Sequence, residues 1–432
     1  MNLNYNLANI EKFVVLFSFF SFIFLWGIKL EYLQFRLFIF LPLLLIVYQS
    51  LKNRNFRFLV FPLLFFACLV VHIILVWYFN DIFHISTLIY ANFAGLIAIV
   101  ISYYRVLISK NLHHIVAIFI YITPIIIIIN FFISWNYASL EGGGKGSLML
   151  SDLLFNCDRS AISFGKFIFK ENSHFSIVSL PIIISLVFLK RQFFTKINVF
   201  FCIIFFVINF LFFSTTFLVA LVACSLYLII YLLKDSSIEK RFRKVLILTS
   251  IIILSCTLSL LPSCKKKIYE TVYLITKIEN EVIIEKTSGT DLNASSSTFY
   301  YSLLVAYESL KKFNFIGTGI NNYEIAHSSA AQDLSWYIDR GGDRKVHDYA
   351  ASVNKKDGYS NFVKLISEFG LLSLILVPCF IKFLFSDKIN IFNKVFFSSL
   401  IITQLLKGVG YFNGGFIFAI IFYLIVTFSK EN

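Results

Sequence analysis

Apolar runs recur along this chain at lengths that match a lipid bilayer. Twelve can be bounded, at 13–29, 37–51, 58–79, 83–104, 112–134, 171–189, 197–213, 216–233, 245–261, 362–381, 391–409 and 412–429. A helix needs about 20 residues to cross the hydrocarbon core. The pattern therefore predicts an all-α polytopic membrane protein with about twelve transmembrane helices. The first two runs are short, and their ends are the least sharply marked. Pro42, Pro62, Pro124, Pro181 and Pro378 fall inside runs, where membrane helices tolerate proline as a kink. Two polar stretches, 135–170 and 262–361, are too long to be simple connections. They divide the chain into a five-helix part (1–134), a first loop (135–170), a four-helix part (171–261), a large loop (262–361) and a three-helix part (362–432).

The large loop has helical patterning of its own. "KKKIYETVYLITKIENEVIIEK" places Ile268, Val272, Ile275 and Ile278 at helical spacing, and "STFYYSLLVAYESLKKF" predicts a second helix. Glycine-rich turns and a charged patch follow, with neither an internal repeat nor a coiled coil.

Composition agrees with the pattern. Hydrophobic residues make up 58% of the chain, charged residues 14%, and mean hydropathy is +0.81; a soluble domain carries about 25% charged residues. The run Phe13 to Ile28 precedes further runs and lacks a small-residue cleavage pattern, so it reads as a span rather than a cleaved leader. The net charge of +14 fits basic cytoplasmic loops better than a nucleic-acid surface. With the N-terminus in the cytoplasm, the inner segments collect Lys12; Lys52, Arg54, Arg57; Arg105, Lys110; Lys190, Arg191, Lys196; Lys234, Lys240, Arg241, Arg243, Lys244; Lys382, Lys388, Lys394; and Lys430. The opposite short loops at 80–82, 214–215 and 410–411 carry none. Both termini are therefore expected in the cytoplasm of a bacterial inner membrane, with both long loops outside. The chain has 53 Phe, 28 Lys and only 10 Arg, the bias of AT-rich coding. An arginine here is more informative than a lysine.

Cys68, Cys202, Cys224, Cys256 and Cys379 fall in runs and read as packing. Cys157 and Cys264 fall in external loops, where an oxidising compartment would allow a disulfide. No ligand spacing for a metal occurs.

The chemistry-bearing residues gather on one side. "DGYSNFVKLISEFGLL" opens the tenth run with Asn361, Lys364 and Glu368 at i, i+3 and i+7, one helix face. Glu368 then lies about 10 Å below Asn361, a depth at which ionisable groups face protein or a water-filled cavity. One reading is a cavity wall open to the outside. The other is a local Lys364–Glu368 pair tying the helix end to the interface. The first loop, "DRSAISFGKFIFKENSHF", holds Arg159, Lys166, Lys170, Glu171, Asn172 and His174. Arginine offers a planar donor fork suited to phosphate, although charges in a loop are also ordinary solvated surface. In "DRGGDRKVHDY", Arg340, Arg344, Lys345 and His347 alternate with Asp339, Asp343 and Asp348. Mixed signs suit a solvated surface or a hydroxyl-rich ligand rather than a polyanion. The last outer turn, "LLKGVGYFNGGF", combines Lys407 with Gly408, Gly410, Gly414 and Gly415, which fit close helix packing or close backbone approach. No ATP drives chemistry on that side, so a reaction there needs an already activated donor.

These motifs resemble those of the O-antigen repeat-unit polymerases, within the O-antigen polymerase and ligase superfamily. The similarity covers roughly 155–430; the first 130 residues match in hydropathy alone. It rests on the Arg…Gly…Glu-Asn order of 159–172, "NFIGTGINNY" at 314–323, "SNFVKLISEFGLL" at 360–372 and "GYFNGGF" at 410–416. Two arginines common in the family are missing, where "FFSTTF" (212–217) and "SSSTFYY" (295–301) stand. Tyr359 and Ser360 stand where ligases tend to have a His, which favours a polymerase. The resemblance implies glycosyl transfer from undecaprenyl diphosphate to the next lipid-linked oligosaccharide unit. It implies Arg159 and Lys407 on the diphosphate, Glu368 as base or orienting group, and His347 as a second candidate base. Lys166, Glu171, Asn172, Arg340, Arg344, Asn361 and Lys364 would contact substrate. No cofactor or metal is implied, and no nucleic acid. The implied partners are the lipid-linked oligosaccharide, the bilayer and a chain-length regulator protein. A lipid-linked oligosaccharide flippase, an O-antigen ligase and a membrane anchor for an external binding module are the alternatives. Nearly charge-free runs and a hundred-residue loop weigh against a flippase.

Overall fold

The computed structural model describes residues 3–25, 29–30, 33–140, 172–188, 195–211, 215–233, 249, 294–333, 355–356, 358–384 and 390–428. Apart from connecting turns, these are helical except for one two-residue antiparallel pair, Lys29–Leu30 with Leu33–Gln34. The helices are α1 (Leu3–Phe24), α2 (Leu41–Asn53), α3 (Val60–Asn80), α4 (Ile85–Leu140), α5 (Asn172–Leu186), α6 (Lys196–Leu211), α7 (Thr215–Leu233), α8 (Ala294–Lys312), α9 (Tyr323–Asp333), α10 (Asn361–Phe369), α11 (Leu376–Leu384), α12 (Ile391–Leu406) and α13 (Phe416–Phe428). Short 3-10 turns at Phe35–Phe40, Arg57–Leu59 and Gly370–Ile375 lead into α2, α3 and α11.

Three stretches among the described residues are long and apolar enough to cross a membrane: Arg57–Asn80, Ile85–Ile125 and Asn361–Phe383. Shorter apolar helices, such as Ile391–Leu406 and Phe416–Thr427, pack among them. Large apolar side chains project outward from α2, α3 and the 370–381 segment, among them Leu44, Leu63, Leu64, Ile74, Leu374 and Ile375. Such a surface is unfavourable in water and the expected one in hydrocarbon. The interior is rich in aromatics; Phe19 meets Phe418 at 4.4 Å and Phe397 meets Phe422 at 4.3 Å. The expected span 245–261 and the predicted helix at 265–286 lie outside the described residues, residue 249 excepted.

Separate helices were expected at 83–104 and 112–134, and the chain is helical throughout Ile85–Leu140, 56 residues. A straight helix of that length would extend about 84 Å, and the contacts exclude one. Glu11 bonds Gln49 at 2.6 Å and Gln49 bonds Tyr103 at 2.5 Å, so Glu11 and Tyr103 are level. Farther along both helices, Phe24 stacks on Phe119 at 4.3 Å. From Tyr103 onward, α4 therefore runs parallel to α1. Before Tyr103 it runs the opposite way, parallel to α2: Phe93 meets Phe40 and Tyr103 meets Gln49. The direction reverses between Tyr103 and Phe119, across the expected connection at 105–111. Two helical arms meet at this reversal, and the connection is itself helical.

Two ends result. Glu11, Gln49, Phe58, Tyr103, Ser109 and Asn393 mark one, through bonds such as Asn393 Nδ2 to the Ser109 carbonyl at 2.7 Å. Phe24, Asn80, Thr87, Tyr90, Gln404 and Phe412 mark the other. The short hairpin after α1 also belongs to this second end, and it brings Lys29 and Arg36 there. The end expected to face outward is thus not free of basic residues, and the charge bias is one of degree.

Candidate functional site

The second end is organised by the break between α10 and α11. Ser360 caps α10, its Oγ accepting from the Val363 amide at 3.2 Å. The helix stops at Gly370, which has φ +56° and ψ −140°. A Cβ there would stand 1.9 Å from the Phe315 carbonyl oxygen. The chain resumes as a 3-10 turn and then as α11, so the long apolar run is a discontinuous helix.

What fits into the break is "NFIGTGINNY". The end of a helix leaves carbonyls without intrahelical partners, and this segment supplies the donors. Thr318 N donates to the Ser367 carbonyl at 3.1 Å and Gly319 N to that of Glu368 at 2.8 Å. In return, Leu371 N donates to the Phe315 carbonyl at 2.9 Å. Gly317, at φ +89°, lies so close to Glu368 that a Cβ would meet its backbone at 2.5 Å. Both glycines are required by this approach of two backbones.

Glu368 is at the centre and has no exposed surface. One carboxylate oxygen accepts from the Asn321 amide at 2.9 Å, the other from the Tyr323 amide at 3.0 Å. The Tyr323 amide opens α9 and that of Asn321 lies two residues before it, so the carboxylate sits at the positive end of that helix. Lys364 Nζ lies 3.8 Å from the same carboxylate, donates to the Lys356 carbonyl at 3.0 Å, and stands 5.2 Å from the centre of the Tyr411 ring. The Tyr411 hydroxyl faces the carboxylate without reaching hydrogen-bond geometry. Burial, and then that carboxylate, push the Tyr411 phenol well above its ordinary range. Asn361 Nδ2 donates to Gln404 Oε1 at 3.2 Å, and Gln404 Nε2 to the Gly414 carbonyl at 2.6 Å. Gly408 leaves no room between itself and Asn361. Lys407 Nζ lies 4.9 Å from the centre of the Tyr359 ring.

Asn361, Lys364 and Glu368 do share one face, as their spacing predicts, and the turn carrying Lys407 and Tyr411 closes over it. The face is not an open cavity wall. All three residues are buried, at 0%, 1% and 0% exposure, because the 313–323 segment and the 407–415 turn fill the space in front of them. The oxygens of Glu368 meet backbone amides and a lysine, an arrangement that suits the orienting one of its two expected roles. The local-pair reading was nearer, though it omitted the amides. Arg159, Lys166, Glu171, Arg340, Arg344 and His347 lie outside the described residues, as do Cys157 and Cys264. Asn172 is the first residue of α5, and its side chain also lies outside the description.

Sequence reasoning passed over His72, Asn80 and Thr87. His72 sits mid-run on α3 with a ring nitrogen 3.1 Å from the Ile316 carbonyl, stacked on Phe369 at 4.8 Å. Asn80 ends α3 and Thr87 begins α4, and both bond to the 313–323 segment. A histidine inside an apolar run was a signal present in the sequence.

Above the break, α8 and α9 form a small unit around Tyr301, Val305, Ala306, Tyr323 and Ala330. His327 is buried in it, 5.5 Å from the Tyr301 ring and 5.9 Å from the Tyr323 ring. Burial, and then the nearby Lys355 charge, push its imidazole down to about 4; burial pushes Tyr301 up to about 12. Folded α8–α9 therefore holds His327 neutral, while an open form binds a proton near its ordinary 6.5. The resulting stability is present above pH 6.5 and is lost as pH falls toward 4. At full effect it is at most about 3 kcal/mol. Protection factors for hydrogen exchange across 294–333, which remove the fall of the intrinsic rate with pH, are expected to drop between pH 6.5 and 4, and His327→Phe to flatten that dependence.

Comparison with protein-family models, curated proteins and solved structures found no match to this chain.

Proposed function

We propose that this protein polymerises lipid-linked oligosaccharide repeat units at the outer face of a bacterial inner membrane, as the resemblance of its motifs implies. A hydroxyl of the incoming lipid-linked unit attacks the anomeric carbon of the nascent glycan. The bond from that carbon to undecaprenyl diphosphate breaks, its electrons leave on the diphosphate, and the hydroxyl proton passes to a base or to the departing diphosphate. Such a reaction needs cations where negative charge develops. Arg159 is assigned that role, with Lys407 beside it; Lys166, Arg340 and Arg344 are assigned to substrate contacts, Glu368 to the orienting one of its two expected roles, and His347 is the candidate base. A chain-length regulator is the proposed protein partner.

The observation that carries the reading is convergence. Three of the four family-like motifs, at 314–323, 360–372 and 410–416, lie far apart in sequence yet form one buried joint, with Lys407 on its edge. Selection for lipid-facing hydrophobicity alone would not assemble them.

Deletion of the gene tests the reading. The expected surface glycan is a single repeat unit, with the banded ladder lost and restored on complementation. No surface glycan at all points to a ligase. Accumulation of inward-facing carrier points to a flippase.

A further inference from the structure

The α8–α9 unit is gripped by side chains from three membrane-embedded helices. Asn80 on α3 donates through Nδ2 to the Phe313 carbonyl at 3.1 Å and the Gly317 carbonyl at 2.9 Å, and its Oδ1 accepts from Asn314 Nδ2 at 2.8 Å. Thr87 on α4 accepts from Asn322 Nδ2 at 3.0 Å. Glu368 on α10 accepts the Asn321 and Tyr323 amides. All of these bonds run to the segment 313–323. A simple connector bonds to itself and to water; this one is seated in a receptacle.

We propose that Asn80 and Glu368 are positioning residues. Together they seat the 313–323 segment, and so fix the α8–α9 unit as a rigid wall beside the Lys407–Tyr411 turn. The activity arm of this proposal rests on the polymerase reading, whereas the docking arm does not. Asn80 is suited to the task because one amide side chain engages three groups of the segment at once. Glu368 is suited because only a carboxylate accepts from two amides while facing an ammonium. A base would need a lone pair directed at the acceptor hydroxyl, whereas each oxygen of this carboxylate directs one at an amide of the 321–323 turn and the group faces Lys364. Glutamine at 368 would still accept one amide. Its own NH2 would oppose the other, and the charge facing Lys364 would be lost.

The test is a thiol pair at the rim of the joint; Asn314→Cys removes its own bond to Asn80 Oδ1 in the parent and the variants alike, so the comparison rests on the remaining bonds. Phe79 and Asn314 suit this, since Asn314 Nδ2 lies 3.1 Å from the Phe79 carbonyl oxygen and both side chains are exposed. Phe79→Cys and Asn314→Cys are introduced together in a background with all seven native cysteines replaced. The rate of bridging by a short bis-maleimide, to which each thiol adds without a leaving group, is measured in membranes. Asn80→Ala and Glu368→Gln are each expected to slow bridging about tenfold, the loss of one to two hydrogen bonds, and each shortens the glycan ladder. Once bridging has gone to completion, the ladder is expected to recover in both variants. Two outcomes overturn the proposal. One is bridging at the parent rate in both variants. The other is a bridged Glu368→Gln that stays at one repeat unit, as loss of a base would leave it. If the deletion strain shows no ladder phenotype, the polymerase reading fails, and the bridging rates alone decide the docking.

Discussion

Replacing Gly370 by alanine is expected to unseat the α8–α9 unit from the membrane helices. Two costs coincide at this position. Its backbone, at φ +56° and ψ −140°, is one that L residues avoid, at about 1–3 kcal/mol. The added Cβ would also stand 1.9 Å from the Phe315 carbonyl oxygen. That oxygen cannot withdraw cheaply, because it accepts the Leu371 amide at 2.9 Å. Overpacking adds about 1–3 kcal/mol. Together, about 2–6 kcal/mol is comparable with the whole stability of many domains. Limited proteolysis should cut 313–323 in Gly370→Ala far faster than in the parent, with a lower yield of monodisperse protein. Gly95→Ala is the control. The three atoms nearest its Cβ would all belong to the Phe66 side chain, the closest being Cδ2 at 3.3 Å, and a side chain can yield. Equal protease resistance in the parent and Gly370→Ala would mean that the two backbones do not interlock as described.

Arg159→Ala, in a complemented deletion strain, is expected to leave surface glycan mostly at one repeat unit. Arg159 is one of ten arginines in the chain and one of three in the two long loops. It precedes the family-like Gly165, Glu171 and Asn172. A diphosphate carries about two negative charges, and a guanidinium binds it in bidentate fashion where an ammonium acts as a point charge. Hydrogen bonds to charged groups contribute roughly 1.5–3 kcal/mol each. Loss of one or two would slow turnover about ten- to several-hundred-fold. Arg159→Lys is expected to restore part of the ladder. Long chains from Arg159→Ala at matched protein level would remove this residue from the site and weaken the polymerase reading.

Much of the architecture was legible in the sequence because hydrophobic periodicity acts locally. Apolar runs gave helices, and "STFYYSLLVAYESLKKF" gave α8. The spacing of Asn361, Lys364 and Glu368 placed them on one face, since 3.6 residues per turn is a property of the backbone. The polar residues of 105–111 marked the reversal between two helical arms, although the connection is helical rather than an open loop. Its helicity depends on backbone bonding that composition does not encode.

Only the tertiary structure decided what that face meets. An ionisable pair below the start of an apolar run fits an open cavity or a buried joint equally well. The choice depends on groups distant in sequence: the amides of Asn321 and Tyr323, supplied by a helix start some 45 residues before Glu368. Amides are common to nearly every residue, so a carboxylate whose partners are main-chain donors leaves no complementary residue type to find. Asn80 escaped notice for the same reason, since two of its three bonds are to carbonyls. Side-chain chemistry is written in the sequence; the backbone groups it will satisfy are chosen by the fold.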